Sequence, residues 1–227
     1  MAKTNQKKMN GNEVQQAIDK IATDIFESLI PEQEQRRIFG QTLQLLANGC
    51  PVPPDEIAIR LQVLTDKVIS TLRGFGAEFD KDGNVLGVGL TLVPTPHVYK
   101  VDGRKLYTWC AADALLFPVM LNHTAYIESP DPVTGEKIRV GVTPDRVVEI
   151  EPKSAVVSWV KNVDATNIRG SGCCHVHFFS SPETASRWIE KHPDKMFYPA
   201  NDVYQAMKHI ILNKYGDMTV RQERICC

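Results

Sequence analysis

The sequence lacks the features that mark several common protein classes. None of its six cysteines belongs to a C-x-x-C pair, the spacing on which zinc fingers depend. No apolar run approaches the length needed to cross a bilayer, and 26 basic residues nearly cancel 27 acidic ones. The sequence therefore predicts no zinc finger, no contact with a membrane and no nucleic-acid partner held by bulk charge.

Cysteine is also too scarce for a fold that depends on disulfides, with six in 227 residues. Four of the six form two adjacent pairs, Cys173–Cys174 and Cys226–Cys227. Adjacent cysteines rarely bond to each other because the small ring strains the peptide between them. Residues 1–12 are polar and lysine-rich, so we expect a disordered arm there and not a secretory signal. These features predict a cytoplasmic protein whose cysteines pack, bind a metal or catalyse a reaction.

The first part of the chain predicts helices followed by a hairpin. Apolar periodicity and helix-ending residues place four helices, at 14–29, 38–46, 55–64 and 66–73. A hairpin over 77–93 follows. This order is typical of a winged-helix domain, which we place at residues 13–94. Asp80 and Asp82 at the wing tip would repel DNA phosphates, so a structural role is favoured over DNA binding.

The rest of the chain alternates between strands and helices. Strands are expected at 98–101, 105–109, 124–129, 137–142, 155–160 and 173–179. Helices are expected at 110–117, ended by Pro118, and at 182–191 and 201–214. The sequence therefore predicts an α+β fold. A mixed domain of small antiparallel sheets with flanking helices, at 95–216, follows the winged-helix-like domain and precedes a C-terminal tail at 217–227.

Cys110 and Asp113 form the first candidate site. Both residues lie in the first turn of a predicted helix and, three residues apart, on one face of it. The field of a helix N-terminus lowers a cysteine pKa and favours the thiolate, and it would also stabilise an ionised Asp113. A structural alternative stays open, in which Cys110 is a buried packing residue and Asp113 caps the helix.

A second group of soft ligands follows at residues 173–177, which read Cys-Cys-His-Val-His. On a strand, Cys173, His175 and His177 would share one face and Cys174 the other, so only one cysteine could enter a given pocket. A zinc site along this strand would have poor tetrahedral geometry, and a plain core strand is the other alternative. Together with Cys110 and Asp113, a thiolate from this strand would make a site for a thiophilic metal.

These two segments carry a resemblance to a known family. The run Leu-Tyr-Thr-Trp-Cys-Ala-Ala-Asp-Ala-Leu-Leu-Phe-Pro at 106–118, followed by Cys-Cys-His-Val-His-Phe-Phe at 173–179, resembles bacterial organomercurial lyases, or alkylmercury lyases. Residues 79–91 also resemble the family in sequence, and the segment 145–152 resembles a family segment in its position along the chain. The resemblance implies a winged-helix-like domain that does not serve DNA, followed by a core of small mixed sheets.

The resemblance also implies residue roles. The two catalytic cysteines of the family fall on Cys110 and Cys173, its catalytic aspartate falls on Asp113, and Cys174 matches a neighbour that is not catalytic. A structural cysteine often present in the family is missing, where this chain has Ser-Pro-Asp at 129–131. That departure concerns stability and leaves the three candidate catalytic residues in place.

The implied reaction is cleavage of a carbon–mercury bond by protonolysis. Mercury(II) is a soft ion that prefers thiolates, so an organomercurial substrate would exchange onto one cysteine and then bind the second. Asp113 would collect a thiol proton and deliver it to the carbon as the hydrocarbon leaves. The Hg(II) product would stay on Cys110 and Cys173, with Asp113 or water as a weak third ligand. No resident cofactor is expected.

Release of the product would need external thiols, either a small cytosolic thiol or a mercuric reductase as partner. The pair Cys226–Cys227 could serve as a mercury acceptor, although an exposed pair on a frayed tail is the simpler interpretation. Two other functions remain as alternatives: a winged-helix regulator that senses a soft metal through Cys110, Cys173 and Cys174, and a passive metal carrier. A regulator would have no use for a proton donor such as Asp113 beside its thiols, and a carrier would bind the substrate without cleaving it.

Overall fold

A computed structural model describes residues 11–219, and these form helices and antiparallel sheets. The predicted α+β class is therefore confirmed. Most of the predicted arm and the end of the predicted tail, including Cys226 and Cys227, lie outside the described residues. Within residues 11–219, no helix combines the length and the apolar character that crossing a membrane requires.

Four helices open the described chain, as predicted. They are α1 (Gly11–Leu29), α2 (Gln33–Leu46), α3 (Pro54–Leu61) and α4 (Thr65–Gly74). The start of α2 is fixed by the Gln35 side chain, which accepts a hydrogen bond from the backbone N–H of Glu32. The helix α3 ends earlier than predicted, because Gln62 adopts a left-handed conformation with φ of 56°.

Strands from both halves of the chain share one antiparallel sheet. Its eight strands are β1 (Glu78–Phe79), β2 (Val85–Val88), β3 (Leu90–Thr91), β4 (His97–Val101), β5 (Arg104–Thr108), β6 (Ala125–Pro130), β7 (Lys137–Val142) and β8 (Val147–Glu151). Their spatial order is β1-β2-β3-β5-β4-β6-β7-β8. Because β3 pairs with β5, with Leu90 opposite Thr108, the predicted wing hairpin extends the central sheet. This sheet is larger than the small sheets that were predicted. The winged-helix interpretation of 13–94 stays a prediction.

The central helix α5 spans Ala111–Leu121 and crosses the residue that was predicted to end it. Pro118 lies inside the helix, and Asn122, with φ of 50°, provides the left-handed C-cap. A proline within a helix costs about 3 kcal/mol because a backbone hydrogen bond is lost. All but one of the residues of α5 are buried, and this burial stabilises the helix past the proline. The prediction of an end at Pro118 was wrong because tertiary packing outweighs the local rule.

A smaller sheet of three strands carries the second candidate segment. Its order is β10-β9-β11, with β9 at Val156–Trp159, β10 at Phe178–Phe179 and β11 at Met196–Pro199. The helices that flank it are α6 (Ile168–Ser171), α7 (Pro182–Ile189) and α8 (Ala200–Lys214). The sequence predicted β9, α7 and α8, but it did not predict β8, β11 or α6.

The predicted strand at 173–179 was wrong over most of its length. Cys173–His175 form a 3-10 turn directly after α6, and regular pairing begins only at Phe178. The hydroxyl of Ser158 donates to the carbonyl of His175 and accepts from the N–H of His177, so a side chain supplies part of the pairing beside the backbone hydrogen bond from Ser158 to His177. The argument that Cys173, His175 and His177 share one strand face therefore fails.

Candidate active site

Cys110 lies where β5 gives way to α5, and its position is fixed by the backbone on both sides. It is the N-cap of α5, in an extended conformation, and its Sγ accepts a hydrogen bond from the backbone N–H of Asp113 at 3.4 Å. The hydroxyl of Thr108 donates to the carbonyl of Cys110 at 3.0 Å. The next residue, Ala111, donates its N–H to the carbonyl of Val176 at 3.0 Å and so joins this segment to the Cys173 turn.

Cys173 brings a second thiol to the same place. Its Sγ lies 4.0 Å from Oδ2 of Asp113. The sulfur atoms of Cys110 and Cys173 and a carboxylate oxygen of Asp113 all lie within 4.8 Å of one another. Two thiols and one carboxyl form a ligand set suited to a soft metal ion. The structure thus brings together the three residues that the sequence singled out.

The neighbouring residues of the 173–177 segment do not join this group. Cys174 is exposed, and neither His175 nor His177 belongs to the cluster of possible metal ligands. His177 instead contacts the carbonyl of Cys174 through Nε2 at 2.9 Å. The tight turn at 173–175 separates the two adjacent thiols, so only Cys173 reaches Asp113. The zinc site considered from the sequence has no support in this geometry.

Burial dominates the electrostatics of Cys110. It raises the pKa of the Cys110 thiol well above its usual range, and the hydrogen bond with Cys173 and the charge of Asp113 raise it further. The N–H of Asp113 lowers the pKa by less. The direction is opposite to the predicted one, because the desolvation of a thiol that is 4% exposed outweighs the hydrogen bond from the N–H of Asp113 at the helix N-terminus.

Asp113 shows the same effect. Burial raises the pKa of its carboxyl to about 6, although the hydrogen bonds with Cys110 act in the opposite direction. The predicted stabilisation of the ionised form by the helix N-terminus is thus overcome. A carboxyl that titrates near neutral pH can both accept a proton from a thiol and release it to a substrate.

An apolar cavity of about 140 Å³ surrounds these groups. Asp113 is the one carboxylate among the lining residues within the described part of the chain. Much of the wall comes from the N-terminal helices, which contribute Ile25, Phe26 and Phe39, and the C-terminal part of the chain contributes Trp159 and Met207. Nothing in the sequence marks these residues as functional, because their amphipathic spacing is that of ordinary core residues.

Gly89 also lines the cavity and was not identified from the sequence. Its φ is +76°, and a Cβ atom there would lie 2.7 Å from the ring of Phe117 and 3.8 Å from Cγ of Asp113. Its carbonyl accepts the N–H of Trp109 at 2.8 Å. A glycine is required here because both the left-handed backbone and the close approach to α5 exclude a side chain.

Comparisons with known proteins agree with the resemblance noted from the two cysteine motifs. The family model described as alkylmercury lyase matches residues 90–211. The alkylmercury lyase of Staphylococcus epidermidis is 42% identical over 174 residues, which cover 76% of this chain and 81% of that protein. The alkylmercury lyase of Pseudomonas putida is 39% identical over 196 residues, covering 86% of this chain and 92% of that protein.

A solved structure shares the fold. It is the crystal structure of the mercury-bound form of MerB2, with a TM-score of 0.66 and 22% sequence identity, and the match covers 91% of this chain and 99% of that chain. The relatives and the family model span most of the described chain, including the strands and helices that carry Cys110, Asp113 and Cys173. The family predicted from the sequence is therefore confirmed, and this chain belongs to the alkylmercury lyase family.

Proposed function

We propose that this protein cleaves carbon–mercury bonds by protonolysis, releasing a hydrocarbon and holding Hg(II) on Cys110 and Cys173, in the detoxification of organomercury compounds. The observation that carries the proposal is the trio of two sulfur atoms and one carboxylate oxygen within 4.8 Å. This trio opens onto an apolar cavity in a member of the alkylmercury lyase family.

The first step is ligand exchange at mercury. The substrate arrives as an organomercury cation bound to a small thiol. One cysteine thiol replaces that small thiol, which leaves with the proton of the cysteine, so mercury keeps its bond to carbon. Because burial keeps the Cys110 thiol protonated, a neighbouring base is needed to free the second sulfur for mercury. Asp113 is within reach of both sulfurs, because its Oδ2 lies 4.0 Å from the sulfur of Cys173 and one of its carboxylate oxygens lies within 4.8 Å of the sulfur of Cys110.

The second step breaks the carbon–mercury bond. As the second sulfur binds mercury, its proton passes to Asp113, and Asp113 then protonates the carbon. The carbon leaves as a hydrocarbon with the electron pair of the broken bond, and mercury stays as a neutral dithiolate complex. Mercury remains Hg(II) throughout, so the step needs neither an oxidant nor a reductant.

The cavity suits the organic group of the substrate. An apolar cavity of about 150 Å³ stays dry and can bind benzene, and the cavity here measures about 140 Å³. A phenyl group or a short alkyl chain would fit beside Asp113. A dry wall also strengthens the interaction between the carboxyl group and the developing negative charge on carbon, because the local dielectric constant is low.

Product release completes the proposed cycle. Mercury is both substrate and product here, and we propose no resident cofactor. Because a buried dithiolate complex holds mercury tightly, release requires competing thiols. A small cytosolic thiol or the cysteines of a mercuric reductase would supply them, and we therefore propose that the protein acts in the cytoplasm.

The direct test is to incubate the full-length protein with phenylmercury or methylmercury and excess thiol and to measure benzene or methane by gas chromatography. We expect catalytic release of the hydrocarbon. Stoichiometric mercury binding without hydrocarbon would instead indicate a passive carrier. Mercury-dependent binding to promoter DNA, with no hydrocarbon, would favour the regulator alternative that the sequence left open.

A further inference from the structure

The carboxylate of Glu78 contacts both segments that carry the site cysteines. Glu78 lies on β1, and its Oε2 accepts the indole N–H of Trp109 at 3.2 Å, while its Oε1 accepts Nη1 of Arg169 at 2.5 Å. Trp109 immediately precedes Cys110 in the chain. Arg169 lies on α6, the short helix that leads directly into the turn of Cys173.

The surroundings of Glu78 are built to hold this carboxylate. The hydroxyl of Thr91 donates to Oε2. Gly87 lies against the same oxygen, since a Cβ there would be 2.5 Å from it. The guanidinium of Arg169 also lies 5.1 Å from the centre of the Trp109 ring, so the two partners of Glu78 contact each other. The side chain of Glu78 is only 17% exposed, which reduces the screening of its charge by solvent.

The contact with Glu78 matters more for the position of the Cys173 segment than for that of the Cys110 segment. The helix α6 has only four residues, and none of its residues is fully buried. After Cys173, the hydrogen bond between Ala111 and Val176 ties the segment to α5. Before Cys173, the ion pair between Arg169 and Glu78 links α6 to the sheet. The two links therefore hold the turn on both sides of the thiol.

From this arrangement we infer that Glu78 is a positioning residue that sets the distance between the sulfur atoms of Cys110 and Cys173. Glu78 is not among the residues that line the cavity, so it acts through Trp109 and Arg169 and does not touch the substrate. The inference rests on the proposed two-sulfur chemistry. Two sulfur atoms can bind one mercury ion together only if their spacing is held within about 0.5 Å.

The test compares Glu78→Ala and Glu78→Gln with Glu128→Ala in the full-length protein. Glu128 is a matched control, because it is a strand glutamate of the same sheet that pairs with a basic side chain, Lys100, away from the site. Mercuric chloride binding is measured in competition with a monothiol by the ultraviolet absorption of the mercury–thiolate bonds. Phenylmercury turnover and the thermal unfolding midpoint are measured in parallel.

We expect Glu78→Ala to lose about 10- to 100-fold in competitive Hg(II) affinity and in kcat, as is typical when a residue that orients metal ligands is removed. Glu78→Gln keeps an oxygen acceptor for Trp109 but loses the charge that faces Arg169, so a smaller loss is expected. Glu128→Ala should bind Hg(II) and turn over as the unmodified protein does.

Two results would overturn the inference. One is a Glu78→Ala protein with unchanged Hg(II) competition and kcat; the other is a lowered unfolding midpoint with unchanged Hg(II) competition, which would show a structural role only. If Glu78→Ala does not fold, Arg169→Met decides in its place, since the Arg169 side chain is 42% exposed and the same loss is expected. Weakened Hg(II) binding in a protein that never releases hydrocarbon would sink the lyase proposal but keep the role of Glu78.

Discussion

The two thiols of the site reach the cavity from segments of opposite character. Cys110 is buried at the start of a helix whose residues are almost all buried, and backbone hydrogen bonds fix it on both sides. Cys173 is half-buried on a short turn after a four-residue helix, and it depends on contacts made by its neighbours. Contacts of its own backbone and sulfur therefore place Cys110, whereas contacts of neighbouring residues place the sulfur of Cys173.

The largest expected effect comes from removing either sulfur. Cys110→Ser and Cys173→Ser should each lower phenylmercury turnover by more than about 10³-fold, because a hydroxyl is a poor ligand for mercury. Hydrocarbon release measured by gas chromatography checks this. The two variants also test the comparison between the Cys110 and Cys173 segments. Both variants should fold, but only the unmodified protein should bind Hg(II) through two sulfurs. Residual turnover above a few per cent in either variant would contradict the two-sulfur site.

Asp113→Asn should separate binding from chemistry. Turnover is expected to fall by about 10²- to 10⁴-fold, because the amide can neither accept the thiol proton nor deliver one to carbon. Hg(II) binding by Cys110 and Cys173 should persist, since both sulfurs remain. Single-turnover assays with phenylmercury, together with Hg(II) titration, measure the two properties. Normal turnover in this variant would remove Asp113 from the mechanism.

The substitution Asp113→Asn should also change how the free energy of unfolding depends on pH. Folding raises the pKa of Asp113 from 3.8 to about 6, so the folded protein binds this proton more tightly than the unfolded chain does. The stability gained is complete below about pH 4 and is lost as the pH rises through about 6. Relative to the unmodified protein, Asp113→Asn should therefore gain about 2 kcal/mol in free energy of unfolding between pH 4 and pH 7. Urea unfolding across this range measures it, and a constant difference would contradict the assignment.

The smallest expected effect is that of Cys174→Ser. Cys174 is exposed and lies outside the group formed with Asp113, so kcat/KM should change by less than about 2-fold. Steady-state assays beside Cys173→Ser provide the direct comparison of two adjacent thiols. A large loss in Cys174→Ser with an active Cys173→Ser would mean that the turn presents the other sulfur to the cavity.

The local structure of the Cys110 segment was easier to predict from the sequence than that of the Cys173 segment. The three-residue spacing of Cys110 and Asp113 and the apolar residues after them predict a helix that begins at the cysteine, and the structure agrees. The sequence could not show that α5 continues past Pro118, because that depends on burial by the rest of the fold. The pKa of Cys110 was predicted in the wrong direction for the same reason, since desolvation is a tertiary effect.

The secondary structure of the Cys173 segment could not be predicted from local sequence patterns. Alternation of side chains predicted a strand at 173–179, but residues 173–175 form a 3-10 turn, and the hydroxyl of Ser158, distant in sequence, holds the backbone of His175 and His177. The pairing of Cys173 with Cys110 came from their chemistry and from the family resemblance, not from secondary structure. The cavity wall from α1 and α2 and the contacts of Glu78 carry no sequence signal, because each requires knowing which distant elements meet.

The antiparallel sheet that runs from β1 to β8 has a consequence for engineering. Its first three strands come from the part of the chain that also supplies the N-terminal helices, and β3 pairs directly with β5. A chimera that exchanged residues 11–91 for another sequence would have to reproduce an edge of this sheet as well as a wall of the cavity. Grafting substrate preference between relatives is therefore better attempted by changing single side chains on the inner faces of α1 and α2 than by swapping the whole segment.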